Sequence, residues 1–201
     1  MRCVLALLGV FVVMYGAFDI FHKIKEEPLV IVASDVTVAA SSTAVTFVAE
    51  AAPIVPARLT IPSIGINVEV EKVGDTKSGA MATPKTFANV GWYEKGSMPG
   101  QPGNAVFDGH VNNALTRAGV FEHLSDLSVG DRIVVLDQTG GTLTFAVTDL
   151  VDYTNDTAPL QTIFTAEGPS GLVLITCAGE WDRRAHSYDK RLVVYARLVV
   201  H

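Results

Sequence analysis

From Arg58 onward the chain is a succession of short runs rich in Val, Ile and Thr, separated by Gly, Asp and Pro. Branched side chains are stiff about χ1 and suit a pleated surface, while the separating residues supply turn conformations. The runs at 58–61, 67–73, 105–110, 132–136, 143–151, 172–177 and 191–199 therefore read as strands. Several alternate cleanly: Leu143, Phe145 and Val147 fall on one face between threonines and an alanine, as expected of a strand with one side in a core. Gln138-Thr139-Gly140-Gly141 reads as the turn joining two of them. Helical pieces are short, the best being 119–127, where Val120, Phe121, Leu124 and Leu127 share a face. No long repeat is visible. These features describe an all-β barrel or sandwich of seven or eight strands with short helices.

The first 57 residues have another texture. After Met1-Arg2 an apolar run extends from Cys3 to Phe21 with no charge until Asp19, close to the length that crosses a hydrocarbon core of about 30 Å. No small-residue cleavage site follows it, and Cys3 precedes the run, so neither a cleaved signal peptide nor a lipoprotein fits. Residues 1–25 are expected to be an uncleaved transmembrane anchor. Arg2 favours an inside N-terminus, whereas Lys23 and Lys25 on the far flank pull the other way. Residues 26–57, rich in Ala, Val, Ser and Thr with prolines at 28, 53 and 56, are expected to form an extended spacer. Residues 58–201 form the folded domain, and at this length a single domain is the default.

Charge narrows the function. The chain carries a formal −6, and from Arg58 on there are 12 Lys/Arg against 16 Asp/Glu. Nucleic acid and anionic lipid both call for a basic surface, so a general binder of either is disfavoured. Four of those basic residues, Arg183, Arg184, Lys190 and Arg191, follow Cys177 closely and keep the potential positive there. The two cysteines, Cys3 and Cys177, lie at opposite ends of the chain, which makes an intramolecular disulfide implausible. In an exported domain Cys177 would be a free thiol, a liability unless it is used. The alternative is a buried structural cysteine.

A cysteine nucleophile needs a partner for its proton and a donor for the oxyanion formed at an attacked acyl carbonyl. Cys177 ends the run 172–177 before the turn expected at Ala178-Gly179-Glu180-Trp181. His110 ends another run just after Gly109, and Arg191 opens the last one. A planar guanidinium with five donors suits an acyl oxygen better than an ammonium does. His22, His123 and His201 read as solvated surface, and His186, in the loop between cysteine and arginine, is the competing base. Arg183 and Arg184 compete with Arg191 but have no strand to fix them. Asp108 faces the same way as His110 and could orient the imidazole, although an aspartate before a turn is more often simply solvated. His110, Cys177 and Arg191 are thus the candidates for thiol-based acyl transfer.

Metal chemistry has weak support. There is no CxxC and no HExxH, and Asp149, Asp152, Asp156 and Glu167 bracket a loop that could hold calcium but has the ordinary look of solvated acids. No phosphate-cradling glycine loop is present, and no cofactor is expected.

Histidine, cysteine and arginine on three strands behind an N-terminal anchor resemble a sortase, a membrane-anchored cysteine transpeptidase. Val173-Leu174-Ile175-Thr176-Cys177 resembles the family's Thr-Leu-x-Thr-Cys signature, with Val173 in place of the first threonine. Gly109-His110-Val111 matches the family histidine and Arg191 the family arginine, and further pieces are Arg58 to Ile66 and Gly119 to Asp131. The Gly-His-Val and Ser187 to Arg191 textures are most similar to class F and related actinobacterial-type sortases. The resemblance implies a closed eight-stranded β-barrel and a two-step reaction on a sorting signal of the Leu-Pro-x-Thr-Gly kind. By that analogy Cys177 attacks the Thr carbonyl, Arg191 stabilises the oxyanion, and His110 protonates the departing amine. An incoming amine, from a cell-wall precursor or a pilin lysine, then resolves the thioacyl enzyme. Thr176 would support substrate or oxyanion, and Ala158, Pro159 and Leu160 would help floor the apolar part of the substrate. The partners implied are secreted proteins with a C-terminal sorting signal and an amine acceptor. The implied location is the cell membrane, single-pass, with the domain extracytoplasmic.

Rival readings differ in residue order or in the final acceptor. Papain-like peptidases place cysteine before histidine, the reverse of this chain, and L,D-transpeptidases use a short gap and a Ser-x-Gly-Cys run that is absent. A peptidase resolving the thioacyl enzyme with water, and an inactive peptide-binding barrel, both remain open.

Overall fold

The structure is a computed structural model that describes residues 51–112 and 118–200. The expected anchor and most of the expected spacer lie outside these residues. Among the described residues no helix is long and apolar enough to cross a membrane. The last part of the spacer lies against the domain: Ile54 donates its N–H to the Pro99 carbonyl, and Ala51 and Ile54 pack on the core.

Eight strands form a closed barrel: β1 (Arg58–Ile61), β2 (Ile66–Val73), β3 (Val90–Tyr93), β4 (Asn104–Asp108), β5 (Arg132–Leu136), β6 (Thr142–Thr154), β7 (Gly171–Asp182) and β8 (Ser187–Leu198). Their spatial order is β1-β2-β3-β4-β7-β8-β6-β5, closed by pairing of β1 with β5. The pairs β2–β3 and β4–β7 are parallel and the remainder antiparallel. Seven of the eight strands are those read from the sequence. The eighth, β3, has only four residues with a glycine among them, too short for an alternation to show. The expected helix at 119–127 is a single 3-10 turn, Leu124–Asp126, flanked by turns, and its apolar residues Phe121, Leu124 and Leu127 plug the barrel.

The interior holds Leu59, Ile61, Trp92, Phe107, Phe145, Leu172, Leu174 and Val194, all buried. Deleting the Phe145 ring would cost about 3–5 kcal/mol, transfer plus cavity. A second cluster of Val106, Ile163, Val173 and Val193 covers the outer face of β4, β7 and β8, with Tyr153, Ala158, Phe164, Ile175 and Tyr195 packed against it. These central strands are apolar on both sides, and so their sequences run as continuous hydrophobic stretches instead of alternating.

The outer cluster is roofed by the β6–β7 connection, which contains the short helix α1 (Leu160–Ile163). Buried Asn104 ties that connection down: Nδ2 donates to the carbonyls of Thr162 at 2.9 Å and Ile163 at 3.3 Å, satisfying groups at the helix end.

One expectation is corrected. Residues 178–190 are not a loop with its turn at Ala178 to Trp181. β7 runs on to Asp182 and β8 starts at Ser187, so the stretch is a long hairpin. Its register shifts between Ala178 and Trp181. Gly179 takes φ 81° there, a left-handed conformation that glycine adopts without steric cost. The Asp189 carboxylate accepts the Glu180 N–H at 2.7 Å across the irregularity. The true turn is at the tip, where Asp182 accepts the N–H groups of Arg184 and Ala185.

Candidate active site

Strand register brings the candidate residues level. β4 and β7 pair in parallel, Val106 with Val173 and Asp108 with Ile175. The Gly109 N–H continues the ladder to the Ile175 carbonyl at 3.1 Å, so His110 comes beside Cys177. Across the antiparallel β7–β8 pair, Cys177 is the register partner of Arg191, which in turn partners Tyr153 on β6. Alternation puts Cys177 on the same side of β7 as Val173 and Ile175, the side of the outer apolar cluster. Histidine just past the end of β4, cysteine on β7 and arginine on β8 therefore form one row, with neighbouring backbones about 5 Å apart.

Close packing holds the row. Thr176 points to the opposite side from Cys177, is buried, and donates its hydroxyl to the Gly109 carbonyl at 2.7 Å. This bond fastens the residue before the cysteine to the residue before the histidine. A Cβ on Gly109 would enter the Phe121 ring, and one on Gly119 would strike the His110 carbonyl. The His110 carbonyl accepts the Phe121 N–H at 2.9 Å.

The His110 ring is held from β2–β3. Its Nε2 is 3.2 Å from the Pro84 carbonyl oxygen, and Phe87 stacks on it with centroids 4.2 Å apart and planes 30° apart. The Arg191 guanidinium is anchored on its own strand: Nη1 donates to the carbonyls of Lys190 at 2.8 Å and Tyr188 at 3.2 Å, and Nη2 to the Ser187 hydroxyl at 3.4 Å. Its remaining N–H groups have no partner among the described residues, which leaves donors for an oxyanion. Tyr188 in turn donates to Asn112 Oδ1 at 2.9 Å, linking the start of β8 to the segment after His110.

Cys177 is half-buried, and desolvation pushes its thiol pKa up, opposed by the positive charge of Arg191 and reinforced by the negative charge of Asp108. Burial and Asp108 therefore favour the protonated thiol, and Arg191 the thiolate. Asp108 is partly buried rather than solvated, which corrects the expectation for it. Burial raises its carboxyl pKa to about 6 against the charges of His110 and Arg191. The competing residues Arg183, Arg184 and His186 sit at the exposed hairpin tip, roughly 15 Å along the strand from Cys177 at about 3.3 Å per residue.

Two spaces flank the thiol. On one side lies the outer apolar cluster, where Ala158 packs, Pro159 precedes α1, and Leu160 is 63% exposed. On the other, a cavity of about 430 Å³ at the barrel end is lined by Cys177, Thr176, Tyr188, Asn112, Glu122 and Asp152 among others. Among the described residues no group of three or more His, Cys, Asp or Glu is placed to hold a metal ion.

Pro84 and Phe87 had no signal in the sequence, because only the connection between β2 and β3 carries them to the histidine. Tyr188 was visible only as part of a motif texture.

The fold and this row define a closed β-barrel with a half-buried cysteine set between a histidine and an arginine. Residues 59–199 match the Sortase domain family. The chain belongs to the sortase family. Its structure is similar to sortase A from Corynebacterium diphtheriae, with 22% identity, a TM-score of 0.56, and coverage of 74% of this chain and 62% of that one. The chain thus spans under two thirds of that relative. It is also similar to sortase C-1 from Actinomyces oris, with 25% identity, a TM-score of 0.56 and 71% of each chain covered. A third similar structure is a Clostridium perfringens sortase D5 transpeptidase, with 21% identity, a TM-score of 0.54, and 72% and 78% covered. No curated protein sequence matches the chain.

Proposed function

We propose that the chain is a cysteine transpeptidase acting on a sorting signal of the Leu-Pro-x-Thr-Gly kind. The observation that supports this reading is the register of β4, β7 and β8, which sets His110, just past β4, level with Cys177 and its partner Arg191. His110 takes the thiol proton, and Cys177 Sγ attacks the Thr carbonyl. The oxyanion forms against the uncommitted donors of Arg191. His110 then protonates the glycine nitrogen as it leaves, and a thioacyl enzyme remains. The apolar residues of the signal lie over the outer cluster, with Ala158, Pro159 and Leu160 at its rim. The amine acceptor, from a cell-wall precursor or a pilin lysine, approaches from the polar cavity on the other side of Cys177.

The reading extends to location and subclass. The apolar run from Cys3 to Phe21 supports a single membrane span with the domain outside the cell. The Gly-His-Val and Ser187 to Arg191 textures support a class F-like or related actinobacterial-type sortase.

Mass spectrometry of the full chain with a panel of Leu-Pro-x-Thr-Gly peptides tests this. A thioacyl adduct on Cys177 that converts to an amide with added amine, and is lost in Cys177→Ala and His110→Ala, is the expected result. An adduct that yields only free acid would assign a peptidase instead. An unreactive thiol with every peptide would leave a binding barrel.

A further inference from the structure

Acid–base catalysis by His110 needs one ring nitrogen to give and take the proton, and the surroundings of the imidazole distinguish the two. Nε2 lies 3.2 Å from the Pro84 carbonyl oxygen. A carbonyl only accepts, so Nε2 carries the hydrogen of that bond whether the ring is neutral or charged. Nδ1 is left as the nitrogen whose proton comes and goes. The ring plane is set by Phe87, a side chain 40% exposed whose stacking partner is this imidazole.

The segment that carries both groups is fastened from outside the site. The Glu71 carboxylate, on β2, accepts the Lys85 N–H at 2.9 Å, the Thr86 hydroxyl at 3.1 Å and the Asn89 amide at 3.0 Å. These bonds bracket Phe87 in sequence. The Phe87 carbonyl accepts the Val120 N–H at 2.8 Å, which joins the segment to the stretch packed on Gly109. Glu71 touches no reacting group, yet three of its bonds hold the support of the histidine.

We propose that residues 84–87 position the acid–base histidine, with Pro84 fixing the Nε2–H tautomer so that Nδ1 exchanges the proton, Phe87 holding the ring plane, and Glu71 holding the segment. The inference rests on the transpeptidase reading above. In acylation the Sγ–H proton moves to Nδ1, the S–C bond forms, the scissile C–N bond breaks, and Nδ1 passes its proton to the departing nitrogen. In the second half the acceptor nitrogen bonds to the carbonyl carbon and gives its proton to Nδ1. The S–C bond breaks, and Nδ1 returns the proton to sulfur. Pro84, Phe87 and Glu71 are positioning residues; none of them contacts substrate in this scheme.

The test combines NMR of the ¹⁵N-histidine-labelled full chain in detergent micelles with peptide-cleavage kinetics. The His110 signals are assigned by their loss in His110→Ala. Neutral His110 is expected with hydrogen on Nε2 and none on Nδ1. Phe87→Ala is expected to lower kcat about tenfold with KM little changed, a part of what a well-placed acid–base group supplies. Phe87→Tyr should restore kcat, and Glu71→Ala should fall between. Hydrogen on Nδ1 in the neutral ring, or unchanged kcat and His110 signals in Phe87→Ala, would overturn the proposal. The tautomer is read without substrate. Loss of cleavage in the wild type would therefore sink the transpeptidase reading alone, and intact cleavage with the wrong tautomer would sink this inference alone.

Discussion

Cys177 and Arg191 face each other as register partners within the β7–β8 hairpin, not at its ends. The guanidinium is tied to the Lys190 and Tyr188 carbonyls and to Ser187, so a cation is fixed beside a thiol whose pKa burial has raised. The same charge serves two purposes. It eases formation of the thiolate, and in the proposed reaction it would also meet the oxyanion of the attacked carbonyl.

Replacing Arg191 separates those purposes. Arg191→Met should move the pH midpoint of Cys177 alkylation by iodoacetamide upward and lower peptide kcat/KM roughly 100- to 1,000-fold, the range for a lost oxyanion donor. Arg191→Lys restores the charge without the planar fork. It should recover the alkylation midpoint and leave most of the catalytic deficit in place. An alkylation midpoint that does not move in Arg191→Met would contradict the electrostatic link.

Asp108 acts with the opposite sign. Its negative charge adds to the raised pKa of Cys177, so Asp108→Asn should shift the alkylation midpoint downward. Its own carboxyl is raised from 3.8 to about 6 in the fold. The folded state therefore holds this proton more tightly than the unfolded chain does. The resulting stability is present below the unfolded value and is lost as pH rises through about 6. Asp108→Asn should consequently match the wild type in denaturant stability near pH 3 and exceed it at pH 7 by up to about 3 kcal/mol. Equal stabilities at pH 7 would mean that the carboxylate is compensated in the fold.

Thr176→Val removes the hydroxyl that binds the Gly109 carbonyl at 2.7 Å inside the barrel. The orphaned carbonyl should cost about 1–3 kcal/mol in denaturant unfolding. Because the bond spans the two residues that precede His110 and Cys177, peptide cleavage should fall as well, even at temperatures where the variant is fully folded. Full activity with the stability loss alone would show that the row does not depend on this tie.

Leu160 stands 63% exposed on α1 beside the outer cluster. In the proposed groove it meets the apolar residues of the signal. Leu160→Ser should raise KM for the peptide several-fold, since one lost hydrophobic contact is worth about 1–2 kcal/mol, with kcat and thermal stability near wild type. An unchanged KM would move the signal away from α1.

Much of this architecture could be read from residue order, because strands such as β5 and β6 combine clean alternation with an evident turn at Gly140-Gly141. The pairing of β4 with β7 could not, since parallel register leaves no local trace. Cys177 and Arg191 stood out through their neighbours, yet the stretch between them looked like a loop. Its Gly179 and charged residues carry turn signals, and only the bulge shows that glycine serving a continuous hairpin instead. Asp108 looked solvated for a related reason: it is partly buried where β4 meets β7, opposite Ile175, and that parallel pairing leaves no trace near Asp108 in the sequence. Phe87 was hidden more deeply, as it reaches the histidine through a connection whose end point no periodicity marks.

The parallel pairing of β4 and β7 has a consequence for when the row is assembled. His110 and Cys177 reach each other only after the intervening β5 and β6 have been laid down, and Arg191 joins only with the last strand. Pairings of such long sequence separation form late. A folding chain therefore has Cys177 in place before Arg191 is beside it, and the row is complete only when the final strand docks. Completion of the barrel is thereby also completion of the row, and a protein truncated before Arg191 would lack its third member.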